Sequence, residues 1–193
     1  AILRTGRGQQ VPVALSCAPL PAEQKAMVVT VLDMSEVRHL HQQLEFQAVT
    51  DPLTGLLNRR GFHQAMENTL LRSERSEQAL VLLYLDLDGF KRVNDTLGHD
   101  AGDRVLRWVS EQMQACLRSY DILGRMGGDE FTALLGLEFP EQAAKIAEKL
   151  IERVSVCQQV DGLEVMLGVS IGIATFPDCG SDLNGLLRAA DIA

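Results

Sequence analysis

The chain has 193 residues, enough for one full domain and a further piece rather than two complete domains. With 46% hydrophobic and 23% charged residues it can bury a sizeable core, which excludes an intrinsically disordered chain. A net charge of -8 and a pI near 5.0 exclude the cationic surface that sequence-independent binding to a nucleic-acid polymer or to anionic lipid requires. A phosphate-bearing ligand would then need metal ions or helix N-termini to offset its charge locally. Cys17, Cys116, Cys157 and Cys179 stand far apart with no CxxC pair, so they read as buried apolar residues in a reducing compartment. No apolar run is as long as a membrane span and no signal peptide is visible. The chain reads as cytoplasmic, with the possibility of an upstream membrane segment left open.

From the first residue, short β-type runs alternate with turns: Ile2 to Thr5, the turn Gly6-Arg7-Gly8-Gln9, then Val11 to Ser16. A loop flanked by Pro19 and Pro21 leads to a third run, Met27 to Leu32. Three antiparallel strands are too few to be stable alone, so residues 1–34 are expected to close a larger sheet domain. Ser35 to about Thr50 is expected to be a helix, with Ser35 as N-cap and Val37, Leu40 and Leu44 along one stripe. A single heptad leaves two readings open, a parallel dimerising helix or an amphipathic helix packed on its own domain.

From Asp51 onward helices and strands alternate. Asn58 to about Arg75 is expected to be helical, and Ala79 to Leu87 is a continuous apolar run that suits a central strand covered on both faces. Asp100 to Leu117 follows as a helix, with Leu106, Val109, Met113 and Cys116 or Leu117 inward. Two strands are expected between Ile122 and Leu135, around Met126-Gly127-Gly128-Asp129. Glu141 to Val154 is a helix with Ala143, Ile146, Ala147, Leu150, Ile151 and Val154 on one face. Val165 to Ala174 is a strand and Asp182 to Ala190 starts a last helix. The expected class is α+β, a mostly antiparallel central sheet flanked by helices.

Acidic residues collect at the ends of these elements. Asp86 closes the apolar strand, with Asp88 on the same face, and Asp129 and Glu130 follow the Gly127-Gly128 turn. If the two strands are neighbours, Asp86 and Asp129 converge as hard oxygen ligands suited to Mg²⁺ or Mn²⁺ beside a phosphate. Taken alone, the hairpin reads better as a solvated turn. Gly89-Phe90-Lys91-Arg92 follows the strand directly and would open a helix whose free N–H groups can cradle phosphate. An Asn94 carbonyl with the Asp103 carboxylate could accept from the N1–H and N2–H₂ of guanine, although by spacing both are also ordinary helix-end residues.

Set together, these segments resemble the GGDEF family. Arg125-Met126-Gly127-Gly128-Asp129-Glu130-Phe131 is similar to the signature itself, and Asp51-Pro52-Leu53-Thr54-Gly55-Leu56-Leu57-Asn58-Arg59-Arg60 to the family's opening motif. Asp86 to Asp95 and Gly98 to Asp103 are similar to its nucleotide-site segment, and Ser170-Ile171-Gly172-Ile173-Ala174 to its late strand. The resemblance implies a fold like a nucleotidyl cyclase or polymerase palm. It also implies a diguanylate cyclase that condenses two GTP into cyclic dimeric GMP.

On that resemblance Asp86, the Leu87 carbonyl and Asp129 would bind the divalent cations, Mg²⁺ or Mn²⁺. Gly89, Phe90 and Lys91 would offer backbone N–H groups to the GTP phosphates, with Gly127 and Gly128 close to the substrate, and Asn94 and Asp103 would read guanine. Glu130 would position the site or assist removal of the 3′-hydroxyl proton, while Asp51, Asn58 and Arg59 would be structural. One domain would hold one GTP, so catalysis would need a homodimer. Arg118-Ser119-Tyr120-Asp121 resembles the inhibitory RxxD site, at which Arg118 and Asp121 would bind the product. The chain ends at Ala189-Ala190-Asp191-Ile192-Ala193, inside what resembles the family's last helix motif, so the lysine and arginine that usually follow lie beyond it. Residues from Gly8 to Met34 resemble the last strands of a PAS sensor domain. The competing expectation is a non-catalytic GGDEF module that binds GTP or cyclic dimeric GMP and regulates an attached phosphodiesterase.

Overall fold

The alternating apolar runs fold as a computed structural model that describes residues 1–4, 6, 8–19, 27–73, 79–155, 158–160, 162–180 and 182–193. Thr5 and Arg7 of the first turn region, Pro21, the expected helix end at Arg75, and Cys157 lie outside them. The chain divides into two compact units, Ala1–Gln47 and Ala48–Ala193.

In the first unit β1 (Ile2–Arg4), β2 (Gln10–Pro19) and β3 (Met27–Asp33) form an antiparallel sheet in the order β1-β2-β3. Among the described residues of this unit Val13 alone is buried, and Leu15, Val29, Val31 and Leu32 lie open to solvent. Helix α1 (Ser35–Val49) follows. Ser35 is its first helical residue rather than its cap, because the Asp33 carboxylate accepts the Ser35 amide at 2.8 Å and takes over that task. The stripe of Val37, Leu40 and Leu44 is 53%, 52% and 63% exposed.

The second unit is built around β4 (Ala79–Asp88), one of the two interior strands of a sheet ordered β5-β6-β4-β9, with β5 (Ile122–Gly127), β6 (Glu130–Leu137) and β9 (Gly168–Phe176). Every pairing is antiparallel. Because successive side chains alternate between faces, the apolar run of β4 feeds two cores. Val81, Leu83, Leu85 and Leu87 pack with residues of α3 (Phe90–Leu97), α4 (His99–Cys116) and α5 (Gln142–Val154), among them Val93, Val109, Met113 and Leu150. Leu80 and Leu82 pack with Phe62 and Met66 of α2 (Arg59–Ser73) and with Leu186 and Ala190 of α6 (Leu183–Ile192). A small hairpin of β7 (Gln158–Val160) and β8 (Leu163–Val165) stands apart from the central sheet.

Several expectations are corrected. Asn58 caps α2 instead of opening it, accepting the Gly61 amide at 2.9 Å. The strand expected from Val165 to Ala174 is two: Val165 pairs with Gln158 in the hairpin, whereas Gly168 pairs with Asp88, so the chain changes partner between them. On α5 the inward stripe is Ala143, Ala147, Leu150 and Val154, and Ile151, one residue round the helix from Leu150, is 39% exposed. Cys17 on β2 and Cys179 in the turn after β9 are exposed, so these two thiols are not core residues, whereas Cys116 is half-buried and packs against the larger core. Among the described residues no helix is long and apolar enough to cross a membrane.

Candidate functional site

Helix, turn and sheet meet at the end of β4. Asp86 stands in register with Glu130 on β6 and with Ser170 on β9, and the strand continues two residues past it, to Asp88. The Leu87 amide donates to the Asp129 carbonyl at 3.3 Å, which draws the turn between β5 and β6 onto β4. That turn needs Gly128, whose φ of 54° is left-handed. The convergence of Asp86 and Asp129 expected from neighbouring strands therefore occurs. The Asp86 side chain reaches solvent, yet partial burial, and then the charges of Asp129, Asp88, Glu130 and Asp191, push its carboxyl above the ordinary value.

The turn is clamped from behind by Arg125. Its guanidinium donates to the Gly128 carbonyl at 2.8 and 3.0 Å and to the Asp51 carboxylate at 3.1 and 3.3 Å. Asp51 also accepts the Thr54 hydroxyl at 2.6 Å and the Thr54 amide at 2.9 Å. Burial is the largest single influence on Asp51 and pushes its carboxyl up, but the Thr54 and Arg125 bonds together outweigh it and hold it below the ordinary value. Asn58 adds bonds to the Ala48 and Thr50 carbonyls, both at 3.1 Å. Asp51 and Asn58 are thus structural, as expected. Arg59 makes a further contact, its Nη2 reaching 3.8 Å from Glu130 Oε2.

Beyond β4, Gly89 adopts φ 81° and places the chain into α3, which begins at Phe90. The amides at the start of this helix have no intrahelical acceptor, and Lys91 is exposed beside them. The Phe90 side chain is buried in the core, so only its backbone is available to a ligand. Asn94, on the last turn of α3, lies against the start of α4: a Cβ on Gly102 would come within 2.0 Å of Asn94 Oδ1. Asp103 follows Gly102 on α4, and Asn94 and Asp103 are both half-buried.

Arg118 and Asp121 lie elsewhere. They follow the C-terminal end of α4, roughly 20 Å along the helix axis from Asp103 at 1.5 Å per residue. Asp121 Oδ2 accepts the Arg118 amide at 2.8 Å, and Arg118 lies over the Tyr120 ring, 5.6 Å from its centroid, while donating to the Tyr120 hydroxyl.

Three residues at the β4 end, Tyr84, Ser170 and Asp191, were given no site role by the reading of the sequence. Tyr84 leaves β4 on the same face as Asp86, and its hydroxyl is pushed up to about 12, first by burial and then by Glu130 and Asp191, with Arg59 opposing. A cavity of about 340 Å³ is lined by Tyr84, Asp86, Ser170, Gly172 and Asp191 among others. Ser170 donates to Asp88 at 2.9 and 3.1 Å. The two-residue period would have picked out Tyr84 from Asp86, whereas Ser170 and Asp191 join only through the fold.

Among the described residues no three His, Cys, Asp or Glu side chains gather as a metal cage. Mg²⁺ is commonly held by one or two carboxylates together with phosphate and water, and an end with Asp86, Asp129 and backbone carbonyls fits that need.

Residues 48–193 match the family described as diguanylate cyclase, GGDEF domain. The chain is 34% identical over 160 residues to the cyclic di-GMP phosphodiesterase NbdA of Pseudomonas aeruginosa, covering 83% of this chain and 20% of that protein. It is 35% identical over 196 residues to the probable diguanylate cyclase DgcE of Escherichia coli, covering 100% of this chain and 18% of that protein. The chain thus spans about a fifth of the length of these relatives. The solved coiled coil and GGDEF domain of DgcB from Caulobacter crescentus, in complex with c-di-GMP, superposes with a TM-score of 0.77 at 27% identity, covering 83% of this chain and 85% of that one. With the family match spanning the whole second unit and its signature lying at the turn beside Asp86, this chain belongs to the GGDEF family.

Proposed function

We propose that this chain carries the catalytic domain of a diguanylate cyclase, which joins two GTP into cyclic dimeric GMP and releases two pyrophosphates. The observation that carries this reading is the register that sets Asp86 opposite Glu130 and draws the Asp129 turn onto β4, beside the free amides that open α3; burial first, and then these carboxylates, push the Asp86 carboxyl up. Such an end favours a divalent cation and a phosphate together. Asp86, Asp129 and the Leu87 carbonyl would hold Mg²⁺ or Mn²⁺. When bound, the cation supplies polarisation of the α-phosphate and eases ionisation of the attacking 3′-hydroxyl. The amides of Gly89, Phe90 and Lys91 orient the phosphates, and Gly127 and Gly128 let the turn approach the substrate. Asn94 and Asp103 accept from the guanine edge. Each domain holds one GTP, so two copies face each other, and ordering the two nucleotides supplies an entropic advantage.

In the same reading residues 1–34 are the end of a PAS-like sensor, 35–50 a signalling helix and 51–193 the catalytic domain of a cytoplasmic chain. Arg118 and Asp121 form the product-inhibition site. A second reading, a non-catalytic module regulating an attached phosphodiesterase, is favoured by the relative named as a phosphodiesterase. Purified full-length protein, incubated with GTP and Mg²⁺, separates the two by formation of cyclic dimeric GMP. Asp129→Ala is expected to abolish synthesis with an unchanged melting temperature. Near-wild-type turnover in that variant overturns the cation assignment.

A further inference from the structure

Asp86, Asp88, Asp129 and Glu130 crowd the end of β4 with Asp191 of α6 close by, and the first four are not equivalent. Asp88 receives the Ser170 hydroxyl at 2.9 and 3.1 Å. Glu130 lies against Arg59, whose Nη2 is 3.8 Å away, and diagonally beside Tyr84, whose hydroxyl its charge helps to push up after burial. Among the described residues Asp86 and Asp129 carry no side-chain hydrogen-bond donor.

The arrangement follows from register. Glu130 faces Asp86 across the β4–β6 ladder, while Tyr84 pairs with Thr132, so Tyr84 and Glu130 are diagonal neighbours on one face. Arg59 comes from the first turn of α2, on the side of Glu130 facing a second cavity of about 270 Å³. That cavity is lined by Arg59, His63, Tyr84, Arg188 and Asp191, and Tyr84 and Asp191 line the Asp86 cavity as well. Tyr84 therefore stands in the wall between the two.

We propose that Tyr84 and Arg59 are positioning residues that tether the Glu130 carboxylate, sorting it from Asp86 and Asp129 and leaving those two free for the cation. The idea deepens the cyclase reading and rests on it for its catalytic half. A loose Glu130 would compete for the cation and shift the reacting atoms, and a displacement of about 1 Å at such a site can cost on the order of 100-fold in rate.

The test is made on the full-length protein. Tyr84→Phe removes only the hydroxyl, and it is expected to lower kcat about tenfold or more while KM for GTP stays within about twofold. Arg59→Ala is expected to do the same, with Arg59→Lys restoring most of the loss. An unchanged kcat in Tyr84→Phe, or a loss confined to KM, overturns the proposal. The tether itself is read without activity, from a double-mutant cycle of melting temperatures with Tyr84→Phe and Glu130→Gln. Losses that fail to add support the pairing, and strictly additive losses overturn it. If the wild-type protein makes no product while the cycle still couples, the cyclase reading fails and the tether stands.

Discussion

A single missing side chain holds the proposed base reader in place. Any Cβ at position 102 would lie within 2.0 Å of Asn94 Oδ1 and 3.2 Å of Phe90 Cζ, so only glycine lets α4 pass this close to the Asn94 amide of α3. Gly102→Ala is expected to displace the amide and to lower the preference for GTP over ATP by about tenfold, the effect of one mispaired buried polar group of about 1–3 kcal/mol. Calorimetric titration of both nucleotides into the variant checks this, and an undiminished preference removes Asn94 from base reading. Asp51 gives a prediction in pH. Its carboxyl is held below the ordinary 3.8 by Thr54 and Arg125 against the opposing effect of burial, so its contribution to stability is fully present above that value. That contribution is lost as pH falls through the lower folded value. The melting-temperature gap between wild type and Asp51→Asn is therefore expected to be constant near neutrality and to narrow as the pH drops below 3.8. A gap that widens on acidification contradicts the clamp.

At the scale of elements, α4 carries one proposed site near each end. Asp103 lies in its first turns, and Arg118 and Asp121 follow its last. Asp121 spends one carboxylate oxygen on the Arg118 amide, which shapes the turn, while the Arg118 guanidinium stays exposed over Tyr120. An exposed guanidinium on a preformed turn can clamp a phosphate without disturbing the substrate end. Arg118→Ala is expected to relieve inhibition by cyclic dimeric GMP at saturating GTP with no loss of initial rate, and equal inhibition constants would leave the segment a structural turn. Strand β4 behaves differently, because its stability role and its site role are separated by face. Leu83 has no exposed surface and belongs to the larger core. Leu83→Ala is expected to cost about 2–5 kcal/mol in chemical denaturation through the cavity it leaves. Substitutions at Asp86, at the solvent-facing strand end, should cost far less stability.

For the whole molecule, the proposed reaction would consume two bound GTP, one per domain, so the rate per domain is expected to rise with protein concentration until dimers saturate. The exposed stripe of Val37, Leu40 and Leu44 on α1 is an apolar surface suited by its helical spacing to such pairing. Leu40→Glu is expected to shift that concentration dependence upward without changing the melting temperature, measured as initial rate against concentration.

What the sequence determined by itself is local in origin. A run of apolar residues from Ala79 specified an interior strand with two buried faces, and the spacing of Gly127 and Gly128 before Asp129 specified a tight turn. The helices of the second unit were legible because their apolar positions recur with the helical period. What the sequence could not decide depends on which distant segments become neighbours. Val165 and Gly168 read as one strand until their pairing partners, Gln158 and Asp88, proved to lie in different sheets. Exposed Cys17 and Cys179 carry no periodic signal that separates them from core cysteines. Arg125 meets Asp51 across 74 residues, and Arg59 meets Glu130 only because α2 begins beside the β5–β6 turn. Such contacts are set by strand register and helix docking, where one residue of slip would turn Tyr84 and Asp86 to the opposite face. The chemical groups were therefore written in the chain, and their division into tethered and free carboxylates was decided by the tertiary structure.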